Sequence, residues 1–303
     1  MEFAAAGRRL SNWGRWGSDD QIGTLNLLSP AARAAAARGV TSGTALSLSL
    51  LLDASGPTSP QRGGPLHFMT ATGSDADGAA LAGGARFTDD YIVMPLQCST
   101  QWDGLAHIFY DDLLYNGIPA ATVSSSGAAR IGVEHAAGLL GGRAVLLDFV
   151  ALNDGIVPRR AVITAADLDA MCARQGVVVR PGDILLVRTG SMAVRVETGS
   201  WREFRSQQSG LGFDCLGWLR ERDVAAVAAD NATVELAGYY SDYFVPLHMV
   251  GIRDMGLWLG EYWDLEGLAE ACAADGRWDC FLSAHVLPVA GAVGSPVSAV
   301  ALR

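Results

Sequence analysis

The sequence contains no lysine. Its 22 basic residues are all arginine, scattered along 303 positions against 32 acidic residues, for a net charge of −10. Nucleic acid backbones and anionic membrane surfaces require clustered cations, so neither is expected as a partner. Long apolar runs are missing too. Thr44–Leu52 and Val145–Leu152 fall far short of the ~20 residues that cross a bilayer. The opening Met-Glu-Phe-Ala lacks the basic region and apolar stretch of a secretory signal, so the expectation is a cytoplasmic protein. Cysteine is sparse (Cys98, Cys172, Cys215, Cys272 and Cys280), odd in number and without a Cys-x-x-Cys pair. That argues against a disulfide framework and for reduced, packed thiols. Gly-x-Gly-x-x-Gly, Walker and Gly-x-Ser-x-Gly sequences are absent, which removes support for nucleotide cofactors and for a serine nucleophile.

What is present is a chain that is 50% hydrophobic and 18% charged, enough for a large core. Pro30–Arg38 reads as an Ala-rich helix with Ser29 as N-cap. Helix patterns recur at Thr164–Gln175, Asp214–Glu221 and Leu265–Asp275. Strand patterns are read at Thr44–Leu52, Tyr91–Thr100, Ala144–Leu152, Ile184–Thr189 and Ala225–Ala229. Asp53–Asp90, rich in Gly, Pro, Ser and Thr, reads as a long irregular loop of the kind that forms lids and binding sites. Strands and helices mix without strict alternation, and no linker is evident. The expectation is one α/β domain over 1–303 with an ordered N-terminal arm to about residue 30.

Histidine is limited to His67, His107, His135, His248 and His285. The densest polar cluster is Gln97-Cys-Ser-Thr-Gln101-Trp-Asp103-Gly-Leu-Ala-His107. Were it extended, Gln97, Ser99, Gln101 and Asp103 would share one face, with Cys98, Thr100 and Trp102 on the other. Gly104 would then have to turn the chain for His107 to meet Asp103. Asp with His serves metal ligation or an oriented base, and equally a structural pair. A second cluster runs from His248 through Asp254 and Glu261 to Glu266. Glu261 reads either as a helix-start acid favoured by the dipole or as a desolvated carboxylate. His67 lies in the Gly-rich stretch and is a candidate substrate contact. His135 reads as structural and His285 as part of a terminal strand, in the core or an interface. Trp102, Phe109, Tyr110 and Tyr115 around the first cluster read either as core or as walls for a flat substrate.

Together the clusters resemble the cyclase-like metal-dependent hydrolases, the family of bacterial kynurenine formamidase and isatin hydrolase. The first cluster is similar to that family's His-x-Gly-Thr-His-x-Asp-x-Pro-x-His. The resemblance extends to Trp16–Asn26, Tyr115-Asn-Gly117, Asp230-Asn231, the stretch from His248 to Leu268, and the closing Leu287–Pro296. It implies a swivelling β/β/α fold with a central mixed sheet or barrel and flanking helices, and a homo-oligomer, dimer or tetramer. This sequence departs from the signature at two ligand positions, where Gln97 and Gln101 replace histidine. Ser99 also replaces the glycine and Leu105 the proline. Asp103, His107, His248 and Glu261 remain.

The resemblance therefore implies one divalent metal, Zn²⁺ or Mn²⁺, on Asp103, His107, His248 and Glu261, which would activate water. The same four residues also suit a metal-free acid–base set. Gln97 and Gln101 would offer amide N–H groups to a carbonyl, with Trp102, Tyr115 and His67 as further substrate contacts. The expected activity is hydrolysis, or reverse ring closure, of a cyclic amide, lactone or related acyl bond in a small molecule. Alternatives are a metal-free isomerase or dehydratase of secondary metabolism and a non-catalytic small-molecule binding protein.

Overall fold

The computed structural model describes residues 3–54, 56–57, 59, 61–75 and 81–303. Nine strands make one mixed sheet. In chain order they are β1 (Ala45–Ser47), β2 (Gln101–Asp103), β3 (Gly141–Asp148), β4 (Ile184–Arg188), β5 (Ala226–Ala229), β6 (Trp258–Glu261), β7 (Asp279–Ser283), β8 (Gly294–Pro296) and β9 (Val300–Leu302). Their spatial order is β1-β9-β7-β3-β4-β5-β6-β2-β8. The central β3, β4, β5 and β6 run parallel. The pairs outside them, such as β7 with β3 and β2 with β6, are antiparallel. Ala144–Leu147, Ile184–Val187 and Ala226–Ala229 are unbroken apolar runs buried along their whole length, as strands covered on both faces require. The sheet curls into a half-barrel with helices around it, the mixed α/β class the sequence predicts.

The helices are α1 (Phe3–Leu10), α2 (Pro30–Arg38), α3 (Ala165–Gln175), α4 (Ser191–Thr198), α5 (Trp201–Gln207), α6 (Cys215–Glu221), α7 (Pro246–Arg253) and α8 (Glu266–Asp275). Local chemistry sets their ends. Ser29 caps α2 by accepting from Ala32 N, and Pro30 takes the first turn, where its missing N–H costs nothing. Thr164 and Asp167 form a capping box on α3, which Gly176 closes in the left-handed conformation. The N-terminal segment is tied to the turn after α7: Asn12 donates to Met255 O at 2.8 Å and Trp13 Nε1 to Arg253 O at 2.7 Å. The α1 helix ahead of it is not apparent in the sequence pattern. Phe3 docks it by stacking on Tyr243, 4.5 Å between centroids.

Several sequence expectations change: the strand read over Thr44–Leu52 narrows to Ala45–Ser47, and the irregular loop read over Asp53–Asp90 contains the strand Leu66–Ala71. The strand read over Ala144–Leu152 stops at Asp148, whose side chain accepts from Ala151 N at 3.0 Å and turns Phe149–Leu152 into a helical turn. The strand read over Tyr91–Thr100 splits. Asp89–Val93 pairs with Leu66–Ala71 in a separate hairpin, and β2 begins only at Gln101, after Ser99 adopts φ +59°. His285 lies beyond the end of β7 and is exposed, outside the core.

Candidate active site

β6 and β2 place the first two carboxylates. In their antiparallel register Glu261 faces Gln101 and Leu259 faces Asp103. Opposed residues share a face of the sheet, so Gln101, Asp103 and Glu261 project together and Trp102 projects the other way. Gly260, opposite Trp102, makes this possible. A Cβ there would lie 2.7 Å from Ala228 Cβ and 2.8 Å from the Trp102 ring. Trp102 and Trp263 therefore pack edge-on behind the site, 4.9 Å between centroids. Glu261 closes a strand, five residues ahead of α8, and is buried rather than exposed at a helix start.

The third ligand-type residue comes from α7. Glu235 accepts the backbone N–H groups of Leu247 at 3.0 Å and His248 at 2.8 Å, two donors a helix start otherwise leaves unpaired. It also accepts from His248 Nδ1 at 2.7 Å. With Nδ1 held by Glu235, Nε2 is turned toward Glu261 Oε1 at 3.2 Å and Asp103 Oδ2 at 3.7 Å. This is the outer carboxylate that fixes imidazole orientation in metal sites. Sequence reasoning missed Glu235. Its one signal is an acid flanked by the apolar Val234 and Leu236, a setting that buries a carboxylate only with partners.

One ligand-type atom from each of Asp103, His248 and Glu261 lies within 4.8 Å of the others. Asp103 Oδ2 and Gln101 Oε1 are buried without a hydrogen-bond partner among the described residues. A bare carboxylate oxygen in the interior is costly. A cation between the three side chains would satisfy it, and two carboxylates with an imidazole suit Zn²⁺ or Mn²⁺. The residues present fit a metal.

His107 follows a turn in which its N–H donates to Gly104 O at 3.0 Å. Its Nε2 is 3.8 Å from Asp103 Oδ1, and its Nδ1 faces Gln97 Nε2 at 3.3 Å. Burial lowers its pKa, against the pull of Asp103. Burial also opposes ionisation of Asp103, but His107 and His248 outweigh it and hold that carboxyl below its usual range. Burial and the charge of Asp103 push Glu261 up to about 7. Burial works against the His248 cation, but the carboxylates of Asp103, Glu235 and Glu261 around it raise its pKa well above the ordinary value.

The triad opens into a cleft of about 580 Å³ whose lining includes Arg62, His107, Arg205, Phe244, His248 and Tyr262. Other residues named from the sequence lie elsewhere. Trp102 is fully buried on the reverse of the sheet, its indole donating to Ala284 O at 2.8 Å. Tyr115 is fully buried and donates to Asp20 at 2.8 Å. His67 sits on the exposed hairpin, 2.7 Å from Asp90. None of the three lines the cleft, because packing holds Trp102 and Tyr115 in the core and the hairpin carries His67 away. Gln101 Nε2 donates to Glu261 Oε2 at 2.8 Å and Asp103 Oδ1 at 3.4 Å, so its amide hydrogens meet carboxylates instead of a substrate carbonyl.

Comparison with known proteins defines the class. Residues 44–236 match the family described as "Putative cyclase". A crystal structure of "a novel cyclase" is 42% identical over 98% of this chain and 99% of that one, with a TM-score of 0.91. The chain belongs to this cyclase family. The same fold occurs in an isatin hydrolase bound to the product analogue thioisatinate, 17% identical over 86% of this chain and 92% of that one, TM-score 0.62. It also occurs in isatin hydrolase A from Ralstonia solanacearum, 19% identical over 85% and 91%, TM-score 0.63. Among curated proteins none matches the sequence.

Proposed function

We propose that the chain is a hydrolase, reversible as a cyclase, that acts on the acyl C–N or C–O bond of a cyclic amide or lactone. The observation that carries this reading is the buried meeting of Asp103, His248 and Glu261 at the floor of an open cleft. The isatin hydrolases of the same fold open a cyclic amide, which supports the substrate class.

Asp103, His248 and Glu261 would hold one divalent metal, with His107 beside them. When bound, the metal supplies Lewis acidity toward a carbonyl and lowers the pKa of water. Gln97 donates to His107 Nδ1, so the ring proton sits on Nε2. From the cleft wall that N–H steadies negative charge growing on a carbonyl oxygen. Gln101 donates its amide N–H groups to one oxygen of each carboxylate and so leaves the other oxygen of each to the metal. A second reading, a metal-free isomerase or dehydratase, is favoured by Glu261, whose pKa near 7 suits proton transfer at neutral pH.

The exposed hairpin supports a homo-oligomer. Leu66, Phe68, Tyr91 and Val93 are between 48% and 63% exposed on it. A lone two-stranded hairpin is marginal in water, and apolar patches mark interfaces. No helix among the described residues is long and apolar enough to cross a membrane.

The test is hydrolysis of a panel of lactones and cyclic amides by protein stripped of metal and then resupplied. Turnover that returns only with the ion supports the hydrolase reading. Full turnover by the stripped protein keeps the hydrolase but removes its metal, and no turnover of the panel in either form favours the isomerase or dehydratase reading.

A further inference from the structure

A second concave site lies at the opposite end of the parallel strands from Glu261. Gly142 and Arg143 stand at the start of β3 and Asp183 directly precedes β4, whereas Glu261 closes β6. There α2, the turn over 180–183 and the start of β7 enclose a cavity of about 290 Å³. None of its described lining residues lines the catalytic cleft. Leu28, Ala32, Ala36 and Pro181 give it an apolar wall. Gly39 lets the Arg277 guanidinium lie against the chain after α2: a Cβ there would stand 3.3 Å from Nη2.

The charge of the lining runs against that of the chain, which is net −10. Among the described lining residues, Arg33, Arg143, Arg180 and Arg277 face two carboxylates, Asp183 and Asp279. Both carboxylates are taken. Arg143 donates to Asp183 at 2.5 Å and to Asp279 at 2.8 Å, and Arg277 donates to Asp279 at 2.7 Å. Asp183 also accepts the backbone N–H of Arg180 at 2.7 Å and feels the charge of that side chain from beyond ion-pair distance. Asp275, just outside the lining, is held by Arg303 at 2.6 Å. Arg33 is left with no ion pair among the described residues, and its Nε is buried without a hydrogen-bond partner. The ionisable group its charge acts on is His285, whose pKa burial lowers and Arg33 lowers further.

A buried guanidinium N–H without an acceptor is costly, and an anionic oxygen in the cavity would satisfy it. The planar fork of arginine matches a carboxylate in two parallel hydrogen bonds. A concave apolar wall with a few polar groups is the common form of a small-molecule site, and it suits a ligand with an apolar body. We propose that this cavity binds a small organic carboxylate, its charged end held by Arg33 and Arg180 and its apolar body against Leu28, Ala32 and Ala36. The site stands apart from the catalytic cleft and does not depend on the hydrolase reading.

The test is calorimetric titration of the chelator-stripped full chain with benzoate and with benzamide. Stripping removes any metal that could take a carboxylate in the cleft. One benzoate per chain is expected, bound roughly 10- to 100-fold more tightly than benzamide, the range of charge-assisted hydrogen bonds. Inorganic phosphate, which has no apolar body, is expected to displace it only weakly. The preference for benzoate should vanish in Arg33→Gln/Arg180→Gln, persist in part in Arg33→Lys/Arg180→Lys, and stay unchanged in His248→Ala, which alters the cleft alone. Neither arginine makes an ion pair, so the double variant should unfold at the same urea concentration as the parent. Should it fail to fold, Arg180→Gln alone, at an exposed position, is expected to weaken benzoate binding about 3-fold. Absence of benzoate binding, equal binding of benzamide, displacement by an equal concentration of phosphate, or a preference that survives loss of the arginines overturns the site.

Discussion

Glu235 Oε1 lies 2.7 Å from His248 Nδ1, and this pair decides which nitrogen of the ring meets Asp103 and Glu261. Glu235→Gln keeps one acceptor but must share it among three donors. Metal affinity is expected to fall 10- to 100-fold, the usual cost of losing such an outer partner. Competition against a chromogenic chelator measures it. Unchanged affinity would show that Glu235 only caps α7.

Gly260→Ala tests the close packing behind the site. The added methyl would stand 2.7 Å from Ala228 Cβ and from Trp263 Nε1. Overpacking of this kind costs about 1–3 kcal/mol, read by urea unfolding. The displaced strand carries Glu261, so activity is expected to fall with stability. A variant as stable and active as the parent would mean that the tryptophans have room to move.

Asp230 gives a pH dependence. It is fully buried, accepts from Thr189 N and Oγ1 at 2.7 Å and from Gly190 N at 3.0 Å, and burial still pushes its pKa up to about 6. The folded state thus binds its proton more tightly than the unfolded chain does. Its contribution to stability is complete below about pH 4 and is lost as pH rises through about 6, then stays flat. The stability of the parent relative to Asp230→Asn should drop by about 3 kcal/mol across that window. A difference that stays constant or rises with pH would contradict the assignment.

The hairpin predicts assembly. Phe68 and Tyr91 stack across it at 6.0 Å on an exposed surface. In light scattering the parent should have a mass of at least twice the 31.8 kDa chain, and Phe68→Asp/Tyr91→Asp should approach 31.8 kDa. A parent that runs as a single chain would remove the oligomer.

The core strands β3, β4 and β5 were legible because they are continuous apolar runs, though not that they pair in parallel, and α2 and α3 because Ser29, Thr164 and Gly176 announce their ends. The alternation of Gln101, Trp102 and Asp103 could be read from the spacing, although Ser99 breaks the extended chain before it. Other features were hidden for physical reasons. Asp148 stops a strand that its apolar neighbours would continue. The hairpin strands gave no sign of their pairing partner, because both of their faces are exposed and no burial pattern marks a register. Trp102 and Tyr115 look alike in sequence whether they line a cleft or fill a core; only Gly260 and Asp20, distant in the chain, decide. Glu235 acts through partners, Leu247 and His248, that folding brings near.

The central claim is that Asp103, His248 and Glu261 share one divalent cation. The most direct measurement is calorimetric titration of chelator-stripped protein with Zn²⁺ and Mn²⁺, with bound metal counted by elemental analysis. The account predicts one tightly bound ion per chain, and affinity reduced at least 100-fold in Asp103→Asn and in His248→Ala, in keeping with loss of a direct ligand. No binding by the parent, or equal binding by both variants, would contradict it.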